Sequence, residues 1–175
     1  ALWDLQAQQV GPGARGLRFL PYLNGERCPV DDPHATGAFV GIRGIHNAGD
    51  FARAVMEGVA FSLRDVHAVM QTLPGYIAPS EMVVAGGGSQ SGLWRQILAD
   101  VFGIPVLRTE ASSAGGAYGA ALLAGVGCGM YQDLATATRL CEEKDVALPG
   151  PDAALYADVF AQYQRLYPSL SWLNQ

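Results

Sequence analysis

Apolar positions recur along this chain in a helical rhythm first and a strand-like one later. Phe51, Val55, Val59, Leu63, Val66 and Met70 stand at steps of four and three, one face of a long helix. Asn47 is placed to cap it, and Asp50 follows where a carboxylate suits the helix dipole. Pro74-Gly75 stops it. The apolar run Met82-Val83-Val84 predicts a buried strand over 81–85, leading straight into Gly86-Gly87-Gly88-Ser89. Leu93, Ile97, Leu98 and Val101 predict a second helix, ended by Gly103 and Pro105, and 105–108 reads as a second strand. A third helix, built of Ala and Gly with Leu122 and Leu123, is expected over 114–125.

A helix over 134–143 and another over 152–167 close the pattern, the last with Ala154, Leu155, Val159, Tyr163 and Leu166 as its stripe. The first 46 residues read as loops with short extended runs at 17–23 and 38–42. Strand, glycine loop, helix, strand, helix is an α/β order. No repeat or low-complexity linker divides residues 1–175, so they are expected to form one unit.

Composition narrows this further. Half of the 175 residues are hydrophobic, which excludes a disordered chain. Only 15% are charged, against about 25% in soluble domains. Glycine occupies 22 positions, nearly twice its usual share of about 7%. So little polar surface predicts apolar faces that want covering. Net charge is −5 and the only lysine is Lys144, so no basic patch exists and nucleic-acid binding is excluded. Cys28, Cys128 and Cys141 suit neither a disulfide framework nor a zinc site, and predict a reducing, cytoplasmic setting. The uncharged stretch 111–132 is too rich in glycine for a membrane helix. The chain opens on Ala1 without a signal peptide, and its start is expected to lie upstream.

The densest candidate chemistry is 86–91, a glycine loop between strand and helix. Glycines there let the main chain approach a flat or anionic ligand, and free amides at a helix start bind phosphate. The same loop also reads as a tight turn with close strand–helix packing. A P-loop is excluded because no lysine follows the glycines. A dinucleotide fingerprint matches in part: Gly86 and Gly88 fit, Glu110 stands where a ribose-binding acid belongs, and Ser91 replaces the third glycine. Gly115 and Gly116 open a second small-residue cluster, either a site of helix packing or a helix start facing the same ligand.

Glu26, Asp31 and Asp32 are read as solvated loop acids, and Glu57 as a structurally paired carboxylate inside the long helix. Arg27 and Arg95 are read as surface ion-pairing groups. His34, His46 and His67 have no ligand spacing, so no metal site is assigned.

Three segments together resemble the carboxyl-terminal lobe of the FGGY carbohydrate kinases. They are 19–29 (Phe-Leu-Pro-Tyr-Leu-Asn-Gly-Glu-Arg-Cys-Pro), then 37–42 with 50–58, and 86–89 with 94–100. The resemblance covers the chain from about Leu17 to its last helix. It implies an actin-like, ribonuclease-H-type fold in two lobes, with ATP, Mg²⁺ and a sugar in the cleft between them. It implies transfer of the γ-phosphoryl of ATP to a sugar hydroxyl. Gly86, Gly87, Gly88, Gly115 and Gly116 are implied to line the ATP pocket, and Ser91 falls where some relatives carry a nucleotide-touching Asn. The Gly25-Glu26-Arg27 segment tilts the sugar toward xylulose, among glycerol, gluconate, rhamnulose and fuculose. The family's catalytic Asp and sugar pocket belong to an amino-terminal lobe upstream, so this chain alone is expected to be inactive. Room is left for a homodimer, and for two rival readings: a dinucleotide oxidoreductase domain, or a non-catalytic actin-like interaction module.

Overall fold

The structure, a computed structural model, describes residues 2–109, 112, 114–138 and 143–174. Seven helices and five strands are formed among them: α1 Leu2–Gln8, β1 Arg18–Leu20, β2 Ala38–Val40, α2 Ala48–Met70, β3 Met82–Val83, α3 Gly92–Phe102, β4 Val106–Thr109, α4 Gly116–Gly127, α5 Leu134–Thr138, β5 Glu143–Ala147, α6 Ala153–Tyr163 and α7 Leu166–Leu170. β1 and β2 make an antiparallel ribbon; β3, β4 and β5 make a second sheet in that order. β3 runs parallel to β4, which requires a crossover, and α3 supplies it. β5 then returns antiparallel along β4.

The core lies where α2, α3 and α6 meet: Ala60 and Phe61 from α2, Ile97, Leu98 and Val101 from α3, and Tyr156, Phe160 and Tyr163 from α6, with Val106 beneath. The α2 start is as expected, a complete capping box. Gly49 N donates to the Asn47 side chain at 2.9 Å, and Asn47 N donates to Asp50 at 2.7 Å.

The buried face of α2 is not the expected stripe. Val55, Leu63 and Met70 are exposed, whereas Ala52, Arg53, Ala54, Glu57, Gly58, Ala60 and Phe61 are buried. Small residues on that inner face let α2 lie directly on β1 and α1, and Phe61 enters the core, while Val55, Leu63 and Met70 face outward. A fully apolar groove of about 680 Å³ runs along the outer side, between Trp3, Phe39, Phe51 and Val55.

Other expectations are corrected. α1 lies within the segment read as irregular; Leu2 and Leu5 at a helical step were its faint signal. The strand expected over 81–85 pairs only at Met82 and Val83, and Val83 is exposed, so it is an edge and not a buried strand. The helix expected over 134–143 is formed at Leu134–Thr138, residues 139–142 lie outside the described residues, and Glu143–Ala147 is not helix but β5, paired along the open edge of β4. In α6 the inward face is Tyr156, Val159, Phe160 and Tyr163, while Leu155 is exposed. No helix among the described residues is long and apolar enough to cross a membrane.

Candidate functional site

β3 and β4 each lead from their carboxyl ends into a glycine turn and then a helix, so both turns open on one side of the sheet. The first turn begins at Gly86, whose φ of 82° and ψ of −173° only glycine adopts readily. Its N–H is tied to the Ser112 carbonyl at 2.7 Å, which joins it to the stretch before α4. Residues Gly87–Gln90 form a single 3₁₀ turn. Ser89 is buried and its hydroxyl donates to the Gly86 carbonyl at 2.7 Å. The N–H groups of Gly87 and Gly88 take no acceptor among the described residues. They are open donors at the mouth of α3.

Ser91 caps α3: its hydroxyl accepts from Trp94 N at 3.0 Å and donates to Asp4 of α1. This assigns it a structural task in the position where the dinucleotide fingerprint wants glycine. The second turn begins at Gly115, with φ 53° and ψ −131°, again a conformation reserved for glycine. A Cβ there would stand 3.8 Å from Gly86 N, so the two glycine clusters are brought together. A Cβ on Gly86, Gly87 or Gly116 would meet nothing within 4 Å among the described residues. These glycines therefore do not serve close protein packing. They frame an open cradle of main chain, flanked by two helix starts, that fits a flat group with anionic substituents. Gly88 faces Trp94, whose ring would be 3.4 Å from an added Cβ.

The expected ribose acid Glu110 and Cys141 lie outside the described residues. Among the described residues no group of His, Cys, Asp or Glu is arranged to hold a metal. His46 accepts from Arg43 N at 3.0 Å, and His67 pairs with Tyr76. Glu26 accepts from the amides of Arg27 and Cys28, which holds its own loop, and Asp32 accepts from His34 within that loop and from Tyr167 of α7, which ties the two together.

Glu57 is paired as expected, and with unusual completeness on one oxygen. Its Oε1 accepts from Gly13 N (2.8 Å), Arg53 Nε (2.9 Å) and Tyr156 OH (2.8 Å), while Oε2 is buried without a partner. Burial pushes Glu57 above the ordinary carboxylate range, against the pull of Arg53, the Gly13 amide and Tyr156. Burial likewise raises Tyr156, with the Glu57 charge adding to it. Asp50 is held below its ordinary range first by its hydrogen bonds from Arg15. Arg95 corrects an expectation: it is buried, donates to the Ser89 carbonyl and pairs with Asp145.

Residues 1–128 match the FGGY family of carbohydrate kinases, C-terminal domain. A xylulose kinase of Staphylococcus epidermidis is 34% identical over 164 residues, 93% of this chain and 32% of that protein. Among solved structures, a ligand-bound xylulose kinase from Lactobacillus acidophilus superposes with a TM-score of 0.82 at 33% identity, over 97% of this chain and 34% of that one. A gluconate kinase from the same organism superposes with 0.81, also at 33% identity, over 96% of this chain and 34% of that one. The chain thus spans about a third of the length of the relatives it matches.

Proposed function

This chain belongs to the FGGY family of carbohydrate kinases, and from that premise we propose that it is the nucleotide-side part of the carboxyl-terminal lobe of an ATP-dependent sugar kinase, with xylulose as the sugar. The fold is the actin-like, ribonuclease-H-like α/β fold of that lobe. The observation that carries the reading is the meeting of Gly86 and Gly115, both in glycine-only conformations, around a cradle where no described side chain lies within 4 Å of a Cβ at Gly86, Gly87 or Gly116. The premise favours this reading over a dinucleotide oxidoreductase.

ATP, with Mg²⁺ as its counter-ion, supplies the phosphoryl group. Gly86, Gly87 and Gly88 on one side and Gly115 and Gly116 on the other hold the adenosine and the adjoining phosphates, the free amides of Gly87 and Gly88 donating to anionic oxygens. Ser91 acts through its cap, fixing the direction of α3. The catalytic base and sugar pocket are supplied by an upstream amino-terminal lobe, and the setting is cytoplasmic. Gluconate is the second sugar to test, since a gluconate kinase superposes as well as a xylulose kinase does.

Turnover of xylulose, gluconate and glycerol by the full-length protein, read as ADP release, tests the sugar. Xylulose is expected to exceed the others in kcat/KM by at least about tenfold; gluconate ahead of it overturns that choice. Gly115→Ala tests the cradle. Forcing a side chain into that backbone region costs about 1–3 kcal/mol, so the turn shifts and KM for ATP is expected to rise roughly tenfold or more. An unchanged ATP KM removes Gly115 from the site.

The outward stripe of α2 is the surface on which the upstream lobe packs. Leu63, at 46% exposure, provides the measurement. Leu63→Glu is expected to alter unfolding of the isolated chain by no more than about 0.5 kcal/mol. In the full-length protein the same change is expected to cost about 2 kcal/mol or more, the value of a buried leucine. Equal effects in both would show that this face stays in solvent.

A further inference from the structure

The glycine turn is nearly devoid of side chains, so whatever fixes its shape acts from outside. Three consecutive glycines lose more conformational freedom on ordering than any other tripeptide, and a cradle that orders only on binding binds weakly. Within the turn, Ser89 ties back to Gly86 through its amide and hydroxyl, and Ser91 N donates to the Gly88 carbonyl. Neither bond anchors the turn to the sheet. Two arginines do. Arg108 of β4 donates to the Gln90 side chain. Arg95 of α3 reaches back under the turn, donates to the Ser89 carbonyl and pairs with Asp145 of β5. Arg108 and Asp145 stand opposite each other in the β4–β5 register, so both anchors converge on one point of the sheet.

Arg95 is an unexpected residue to find here. A cation in the opening turn of a helix is placed against the helix dipole. It is also almost wholly buried, with its Nε unpaired, whereas a solvent-facing arginine would have every donor hydrated. What it gains in return is the Ser89 carbonyl. Drawing that carbonyl down leaves the turn's outer side to the Gly87 and Gly88 amides.

We infer that Arg95, oriented by Asp145, is a positioning residue for nucleotide binding: it holds the Gly86–Ser91 turn in its binding shape without touching the ligand. The inference rests on the ATP reading of the cradle. It assigns to Arg95 an effect on ATP binding, since the only ligand-facing feature Arg95 holds is the turn read as the ATP cradle.

Arg95→Met in the full-length kinase is the test. Methionine keeps the packing of the stem, and Asp145, half exposed, is left to water and not stranded as a buried charge. KM for ATP is expected to rise about tenfold, the loss of one charge-assisted hydrogen bond, with kcat and the sugar KM within about twofold of the parent. Arg95→Lys is expected to fall between, and Asp145→Asn to show a smaller shift of the same kind. Amide hydrogen exchange at Ser89 and Ser91 in the ligand-free protein is expected to quicken in Arg95→Met. Gln96→Ala, which loses contacts to Leu148 and Asp100 but none to the glycine turn, is expected to leave ATP KM unchanged. An ATP KM within twofold of the parent, or parallel losses in ATP, sugar and kcat, overturns the positioning role. Failure of the parent itself to bind ATP overturns the nucleotide reading, and the role of Arg95 with it.

Discussion

Glu57→Gln is expected to lower the stability of this chain by about 1–3 kcal/mol, the cost of a buried amide N–H left without an acceptor. Against a typical domain stability of about 5–15 kcal/mol, that is a large share of the whole. The loss reaches beyond one contact because the single oxygen Oε1 serves three donors from three parts of the chain, Arg53 among them. Gly13 belongs to the segment before β1, Arg53 to α2 itself, and Tyr156 to α6. Arg53 extends the network to the Val10 carbonyl at 3.2 Å and to Tyr156 at 2.6 Å. Glutamine keeps the shape, removes the charge and puts an amide N–H where Oε2 has no partner. Urea unfolding measures the loss. The double variant Arg53→Met/Glu57→Gln is expected to lose less than the two single losses combined, by roughly 1–3 kcal/mol, because the stranded charge is then gone. Additive losses would mean that the two side chains do not act as a pair.

The same residue gives a pH signature. Because burial raises Glu57 in the folded chain, the folded state holds that proton more tightly than the unfolded one. Its contribution is therefore fully favourable below the ordinary glutamate pKa and declines as pH rises from there through the raised folded value. Glu57→Gln is expected to flatten stability against pH over that window.

Gly58→Ala is expected to destabilise the chain by about 3 kcal/mol, although alanine is the better helix former by about 1 kcal/mol. The two effects oppose each other, and geometry decides between them. A Cβ at position 58 would stand 2.2 Å from the Phe19 carbonyl oxygen and 3.0 Å from its carbon. That is a backbone contact in the middle of β1, so no rotamer change relieves it. β1 would have to move by about an ångström, and with it Ala14, Leu17 and Phe19, which pack on Ala54. A peptide covering 47–71 is expected to gain helicity from the same substitution. Loss in the chain with gain in the peptide identifies close approach to β1; gain in both would show that α2 can be lifted without cost.

What could be read from the chain followed the reach of each signal. The α2 cap, its breaker at Pro74-Gly75, the serine and glycines of the 86–91 turn and the start of α4 are local, and each stands where its residues place it. The family motifs were equally legible, because they are ordered strings of residues and carry their spacing with them. Glu57 was legible as a paired carboxylate, though not its partners. Tyr156 lies 99 residues away, and Gly13 44. Nor was the anchoring of the turn by Arg95 legible, since Asp145 comes from a strand to which the local pattern assigned no element.

The sequence by itself determined the order of strands and helices from α2 to α4, the glycine turns and the family. The tertiary structure alone decided which side of α2 is inside. Periodicity reports that a helix has an apolar stripe, but the stripe faces whatever surface is available to cover it. Here the close approach to β1 and α1 selected the small residues and the Arg53–Glu57 pair for the inside, and Val55, Leu63 and Met70 were left facing out. The meeting of Gly86 with Gly115 was decided in the same way. Two turns 29 residues apart become neighbours only because β3 and β4 are paired in parallel, with helices rising from the same end of both.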